Sequence, residues 1–288
     1  MDSTKRTDEM SPEQVQQGNR SWWTRNTMSY DWHDPVARER FTQAWFDDVD
    51  ARFIQAAALY ATDTQPFDRL IPFEQIKGRR VLEIGCGMGL HTELMIRAGA
   101  QVTSVDLSPT SVQATTARLH LKGLAGNVMQ ADAEELPFPN ESFDFVWSWG
   151  VIHHSARTAK IVREIARVLA PPGACRLMIY NRDGITAKIA FFKDHILKLG
   201  FLRRSFEETL YRSTDGFSAR FFVPEHFQDL LRAFFSDVSL EVLGQEADDL
   251  PLPGLLRRLG LKFASRAWLQ RKQAQRGSFL FARAATKI

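Results

Sequence analysis

The sequence predicts an α/β fold built on a mainly parallel sheet, and three observations predict it. Between residues 80 and 180, short apolar runs alternate with helix-patterned segments. The run Val81–Gly89 (VLEIGCGMG) passes from a strand into glycines at alternate positions, Gly85, Gly87 and Gly89. A second strand (QVTSVDL) then ends at Asp106, about twenty residues past the glycines, where nucleotide-binding folds of this type place a carboxylate.

The elements follow in order. Residues 1–21 are polar and lack periodicity, so they read as a disordered tail. Order is expected from Trp22-Trp23, with residues 22–72 forming an N-terminal helical lid. There, Asp34-Pro35 has the form of an N-cap and first helical position, and Phe41, Trp45, Val49 and Phe53 recur every four residues. The core, with its attachments, spans 73–288. Strands are predicted at Arg80–Ile84, Gln101–Asp106, Asn127–Gln130, Phe143–Trp149 and Cys175–Tyr180. Helices are predicted at Leu90–Ala98, Pro109–Lys122 and Thr158–Leu169, with Pro171-Pro172-Gly173 as a stop signal. Residues 181–222 are too long for a bare loop and predict a helical insert. Pro224–Phe235 reads as a helix, and Val238–Leu243 and Ser278–Ala282 as a closing pair of strands around a second insert at about 246–276.

Composition narrows the classes. A hydrophobic fraction of 44% is that of a globular protein. No apolar run approaches the ~20 residues needed to span a bilayer, and the polar start MDSTKRTDEM lacks a signal-peptide stretch. Two cysteines, Cys86 and Cys175, make no disulfide framework. Together these favour a cytoplasmic protein. The net charge of +3 hides an asymmetry: 255–276 holds seven Lys and Arg and no acid, which leaves the remainder at −4. One late basic segment differs from a continuous nucleic-acid groove.

The glycine spacing is G-x-G-x-G rather than the dinucleotide G-x-G-x-x-G, and Glu83 stands two residues before the first glycine. With Asp106, Asp132-Ala133 and the strand FDFVWSW in order behind it, this resembles motif I and its companions in class I S-adenosylmethionine-dependent methyltransferases, within the type 11 ubiquinone, sterol and natural-product branch. The resemblance implies a Rossmann-like seven-stranded sheet of order 3-2-1-4-5-7-6 with the last strand antiparallel. It also implies S-adenosyl-L-methionine as cofactor, S-adenosyl-L-homocysteine as product, and no metal. Glu83, Gly85, Cys86, Gly87 and Gly89 form the donor loop. His91 and Thr92 stand at the first turn of the next helix, Asp106-Leu107 at the ribose, Asp132-Ala133 at the adenine and Trp149 near the methyl. The lid of relatives often points a tyrosine at the methyl, which nominates Tyr30.

Acceptor chemistry rests on Gly150-Val151-Ile152-His153-His154, which follows the fourth strand at the ligand-facing edge of an open sheet. Either histidine titrates in the range of a general base; the competing reading is that the pair caps or packs the next helix. No Asn/Asp-Pro-Pro-aromatic motif follows the strand, which disfavours methylation of amino groups on DNA bases. Neither cysteine is placed as a pyrimidine nucleophile, and no His/Asp/Glu spacing reads as a metal site. Aromatic residues of the lid and of the first insert, including Phe192, Phe201, Phe206 and Phe217, suit an apolar or ring-bearing acceptor or simply bury the insert. The expectation is O- or C-methylation of a small metabolite or lipid. RNA modification and donor binding without turnover are the alternatives. The basic amphipathic stretches around Lys188–Arg204 and 255–269 suit a solvated face, peripheral contact with an anionic membrane, or an anionic acceptor.

Overall fold

The computed structural model describes residues 10–29, 37–62, 65–245, 248, 259–260 and 262–287. The strands are β1 (Arg80–Ile84), β2 (Gln101–Asp106), β3 (Asn127–Gln130), β4 (Phe143–Trp149), β5 (Leu169–Asn181), β6 (Phe221–Phe222), β7 (Phe235–Leu243) and β8 (Phe279–Lys287). They form one sheet of order β3-β2-β1-β4-β5-β8-β7, with the two-residue β6 beside the end of β5. The first five run parallel, and β8 lies antiparallel between β5 and β7. Apart from β6, this is the expected order.

Strand periodicity builds the two faces. Successive side chains point to opposite sides, so Leu82, Val146 and Leu177 join one buried cluster and Val81, Phe145 and Trp147 the other. The first cluster is covered by α6 (Thr158–Val168) through Ile161 and Ile165, and by α9 (Pro224–Arg232) through Phe227 and Leu231. The second is covered by α4 (Leu90–Arg97), by the short helix α3 (Phe73–Ile76), and by Phe53, Tyr60, Phe67 and Leu70 before it. Covering both faces is what a parallel sheet requires, because each crossover lays a helix on it.

The largest departure from expectation is at the N-terminus. Residues 12–21, read as tail, belong to helix α1 (Pro12–Arg25). Its start is a capping box: the N–H of Gln14 donates to Ser11 Oγ and the N–H of Ser11 donates to Gln14 Oε1, with Pro12 in the first turn. The helix sits on α5 (Pro109–Lys122), where Ser108 and Thr110 hydroxyls donate to the carbonyls of Trp23 and Thr24. The next helix, α2 (Gln43–Ala56), is capped by Thr42 rather than Asp34; Asp34-Pro35 lies outside the described residues. Strand β5 starts at Leu169, before the proline pair, and its pairing with β4 shifts register between Phe143 and Phe145.

Residues 181–222 do carry helices. α7 (Ile185–Ala190) continues into a π-helical turn, Phe191–Leu197, and α8 (Phe206–Arg212) follows. The C-terminal basic segment includes α10 (Arg266–Arg276).

Candidate active site

The parallel strands end on one edge of the sheet, and the loops there enclose a cavity of about 230 Å³. The glycine loop forms its floor. At Gly85 the backbone has φ of 82°, and a Cβ there would fall 2.1 Å from Cγ2 of Val151, in the loop after β4. Only glycine lets the two loops close on each other this tightly. Asp106 fixes the loop from the end of β2. The N–H of Gly87 donates to its Oδ2 at 3.0 Å and the N–H of Ser108 to its Oδ1 at 2.8 Å. Burial pushes its pKa up to about 6, against the pull of these two N–H groups.

Behind the loop stands Arg118, a residue sequence reading passed over. Its side chain is wholly buried, donates to Met88 O at 2.7 Å, and pairs with both Asp50 and Glu93. One guanidinium thereby ties α5, the glycine loop, α2 and α4 together. A cation inside helix α5 looks like an ordinary solvent-facing residue until tertiary structure supplies two carboxylates.

Among the nominated residues, Gly85, Cys86, Gly87, Gly89, His91, Asp106, Leu107, Ala133, Trp149 and His154 line the cavity together. Glu83, Thr92 and Asp132 do not. Glu83 is 1% exposed and receives the hydroxyls of Thr92 and Ser104, so it joins β1, α4 and β2 behind the loop. Burial raises its pKa to about 8. Asp132 is occupied by Gln16 Nε2 at 2.7 Å and by the N–H of Glu134 at 2.9 Å. Tyr30 lies outside the described residues.

The two histidines separate. His153 is fully buried, its ring 3.9 Å from that of Tyr180, with neither ring nitrogen hydrogen-bonded. It packs, and burial drives its pKa well down. His154 lines the cavity, and its Nδ1 lies 2.7 Å from the carbonyl oxygen of Ser218. A carbonyl only accepts, so Nδ1 carries the proton and Nε2 keeps the lone pair. Gly216 makes this contact feasible: at φ of 103° a Cβ would fall 2.7 Å from His154 Nδ1. Burial lowers the His154 pKa to about 4. His91 is likewise neutral, lowered to about 3 by burial among Phe53, Phe67 and Trp147.

Gln16 and Asn19, in the stretch read as tail, escaped the sequence. Both lie on α1 and, with Trp23 of the expected lid, close one side. Asn19 donates to His154 O at 2.7 Å while its Oδ1 is buried without a partner, and the Trp23 ring meets that of His154 edge-on at 5.0 Å. The capping box at Ser11 was the signal that could have found them. Tyr180 and Asp215 also line the cavity. Tyr180 is the last residue but one of β5, a position legible as ligand-facing; Asp215 lies in the return of the insertion and had no signal. The insert's Phe192 and Phe201 do not line the cavity but are exposed.

Residues 82–177 match the family described as Methyltransferase domain. These matched residues form a class I, S-adenosylmethionine-dependent methyltransferase domain. The chain is 32% identical over 148 residues to 27-O-demethylrifamycin SV methyltransferase of Amycolatopsis mediterranei, covering 50% of this chain and 52% of that protein. It is 36% identical over 129 residues to the ubiquinone biosynthesis O-methyltransferase of Xanthomonas oryzae pv. oryzae, covering 43% and 52%. The chain thus spans about half the length of these curated relatives. In fold it is similar to the [4+2]-cyclase SpnF, with a TM-score of 0.51 at 20% identity over 80% of this chain and 85% of that one. A cyclase with this architecture means that the methyltransferase fold alone does not specify methyl transfer.

The residues present fit the donor. A glycine cradle that a Cβ would fill, a carboxylate at the end of β2, and orphaned polar atoms on the lining residues Asn19 and His91 are the features of a polar, nucleoside-sized ligand site. Among the described residues, no group of three or more His, Cys, Asp or Glu is arranged to hold a metal ion.

Proposed function

We propose that the protein transfers a methyl group from S-adenosylmethionine to an oxygen or carbon of a small apolar or aromatic metabolite or lipid. One observation carries this reading: His154, with its tautomer set by Ser218, lines the same cavity as the glycine loop and Asp106. Bound S-adenosylmethionine supplies a methyl already activated by positive charge on sulfur. The protein then has to bind, align and exclude water. Asp106 accepts the ribose hydroxyls, Asp132-Ala133 serve the adenine side, and the backbone at Gly85 and Gly87 lets the donor approach. Helix α1 covers the site, with Trp23 and Trp149 keeping water out. His154 Nε2 takes the acceptor's proton. At a pKa of about 4 the ring is neutral at physiological pH, so Nε2 is available to accept a proton as the acceptor oxygen bonds to the methyl group. The two relatives named above are an O-methyltransferase of ubiquinone biosynthesis and a demethylrifamycin methyltransferase, and a ring-bearing acceptor agrees with both.

Incubation with methyl-labelled donor and a host metabolite extract tests the reading. Label is expected in a small, extractable product. Label in RNA, or donor binding with no transfer to any fraction, overturns it.

A further inference from the structure

Twelve large hydrophobic side chains are exposed among the described residues, and eight of them lie between Ile189 and Leu202, in the insertion after β5. Phe192 is 61%, Leu197 65% and Leu202 68% exposed. The insertion is nonetheless packed on its inner side: Ala187, Ala190 and Leu210 form a buried cluster with Phe206 and Phe221. Its apolar outer side is therefore a surface presented by an ordered element. Such a concentration on one short segment marks a contact site.

The charge says what kind. Lys188–Arg204 contains five cations and one acid, Asp194. Asp194 pairs with Lys198, while Lys188, Lys193 and Arg203 have no carboxylate partner among the described residues. Protein–protein interfaces are depleted in lysine. Phenylalanine and leucine interleaved with lysine and arginine instead form the pattern of elements that lie in the headgroup region of anionic bilayers.

We propose that this insertion docks the protein on an anionic lipid surface, with Phe192, Leu197 and Leu202 entering the acyl boundary and Lys188, Lys193 and Arg203 meeting lipid phosphates. The insertion leaves the sheet just after Tyr180 and returns through Asp215, and both residues line the cavity. An acceptor held in the membrane would meet the protein on the element that borders its binding site.

Flotation of the full chain with lipid vesicles tests this without donor or acceptor, so it stands or falls separately from methyl transfer. The chain is expected to float with vesicles of phosphatidylcholine mixed with phosphatidylglycerol. Partitioning should be at least about tenfold weaker on phosphatidylcholine alone or at high salt. The triple variant Phe192→Ser, Leu197→Ser, Leu202→Ser should lose about a hundredfold in partitioning. Its melting temperature should be unchanged, because the three side chains are exposed. Absence of flotation with both vesicle types overturns the proposal, as does flotation undiminished in the variant. So does a dimer that the variant dissociates in a chain that never binds lipid.

Discussion

The His154 imidazole is held by the carbonyl of Ser218, 64 residues further along the chain, at 2.7 Å. One partner follows the fourth strand and the other lies on the return of the insertion. The insertion thereby sets the tautomer at the proposed base, and a change in it should be felt in the chemistry.

Replacing His154 by alanine should lower kcat by about 100- to 10,000-fold, the worth of a general base. Affinity for S-adenosylhomocysteine should barely move, and His153→Ala should lose stability more than rate. A His154→Ala enzyme within tenfold of wild type, folded by circular dichroism, would remove the base.

The pH profile follows from the same burial. His154 is lowered from 6.5 to about 4, so the neutral form persists as pH falls, and kcat should hold until pH approaches 4. The folded state binds fewer protons than the unfolded chain between those values, so stability should decline as pH falls from 6.5 toward 4. A kinetic limb near 6.5 in a stably folded enzyme would show His154 to be solvated in the working state.

Donor affinity should depend on Asp106. Asp106→Ala should weaken S-adenosylhomocysteine binding by about 1–3 kcal/mol in calorimetry. Because burial raises the Asp106 pKa to about 6, wild-type affinity should also fall as the pH drops through 6 and the carboxylate is protonated. Equal affinity in wild type and variant would place the ribose elsewhere.

Removal of residues 1–21 takes away Gln16 and Asn19, which bond to Asp132 and to His154 O. The truncated enzyme should lose at least about tenfold in kcat/KM, the worth of one or two hydrogen bonds to the site. Unchanged steady-state kinetics would show that α1 is not part of the cover.

Arg118→Met leaves Asp50 and Glu93 facing each other around a buried gap. Loss of one partner from a buried ion network costs about 3–5 kcal/mol, so a large drop in Tm is expected by calorimetry. A drop of only a degree or two would mean that solvent reaches the two carboxylates.

The sheet and its glycine-loop edge are legible in the sequence. Strand alternation at Val81-Leu82 and Phe145-Val146, the glycine turn and Asp106 are local signals, each written within a few residues, because backbone geometry and period-two burial act at that range. The remaining features depend on contacts between segments distant in sequence. Asn19 and Gln16 sit on a helix whose apolar content is low, so nothing but its capping box announces it. His153 and His154 are adjacent and chemically identical in sequence; only packing against Tyr180 in one case, and the carbonyl of Ser218 in the other, tells scaffold from candidate base. The apolar residues of the insertion read as core because hydrophobic spacing reports a face but not what lies against it. In the folded chain Phe192, Leu197 and Leu202 are mostly exposed, since burial is a property of neighbours that sequence spacing does not contain.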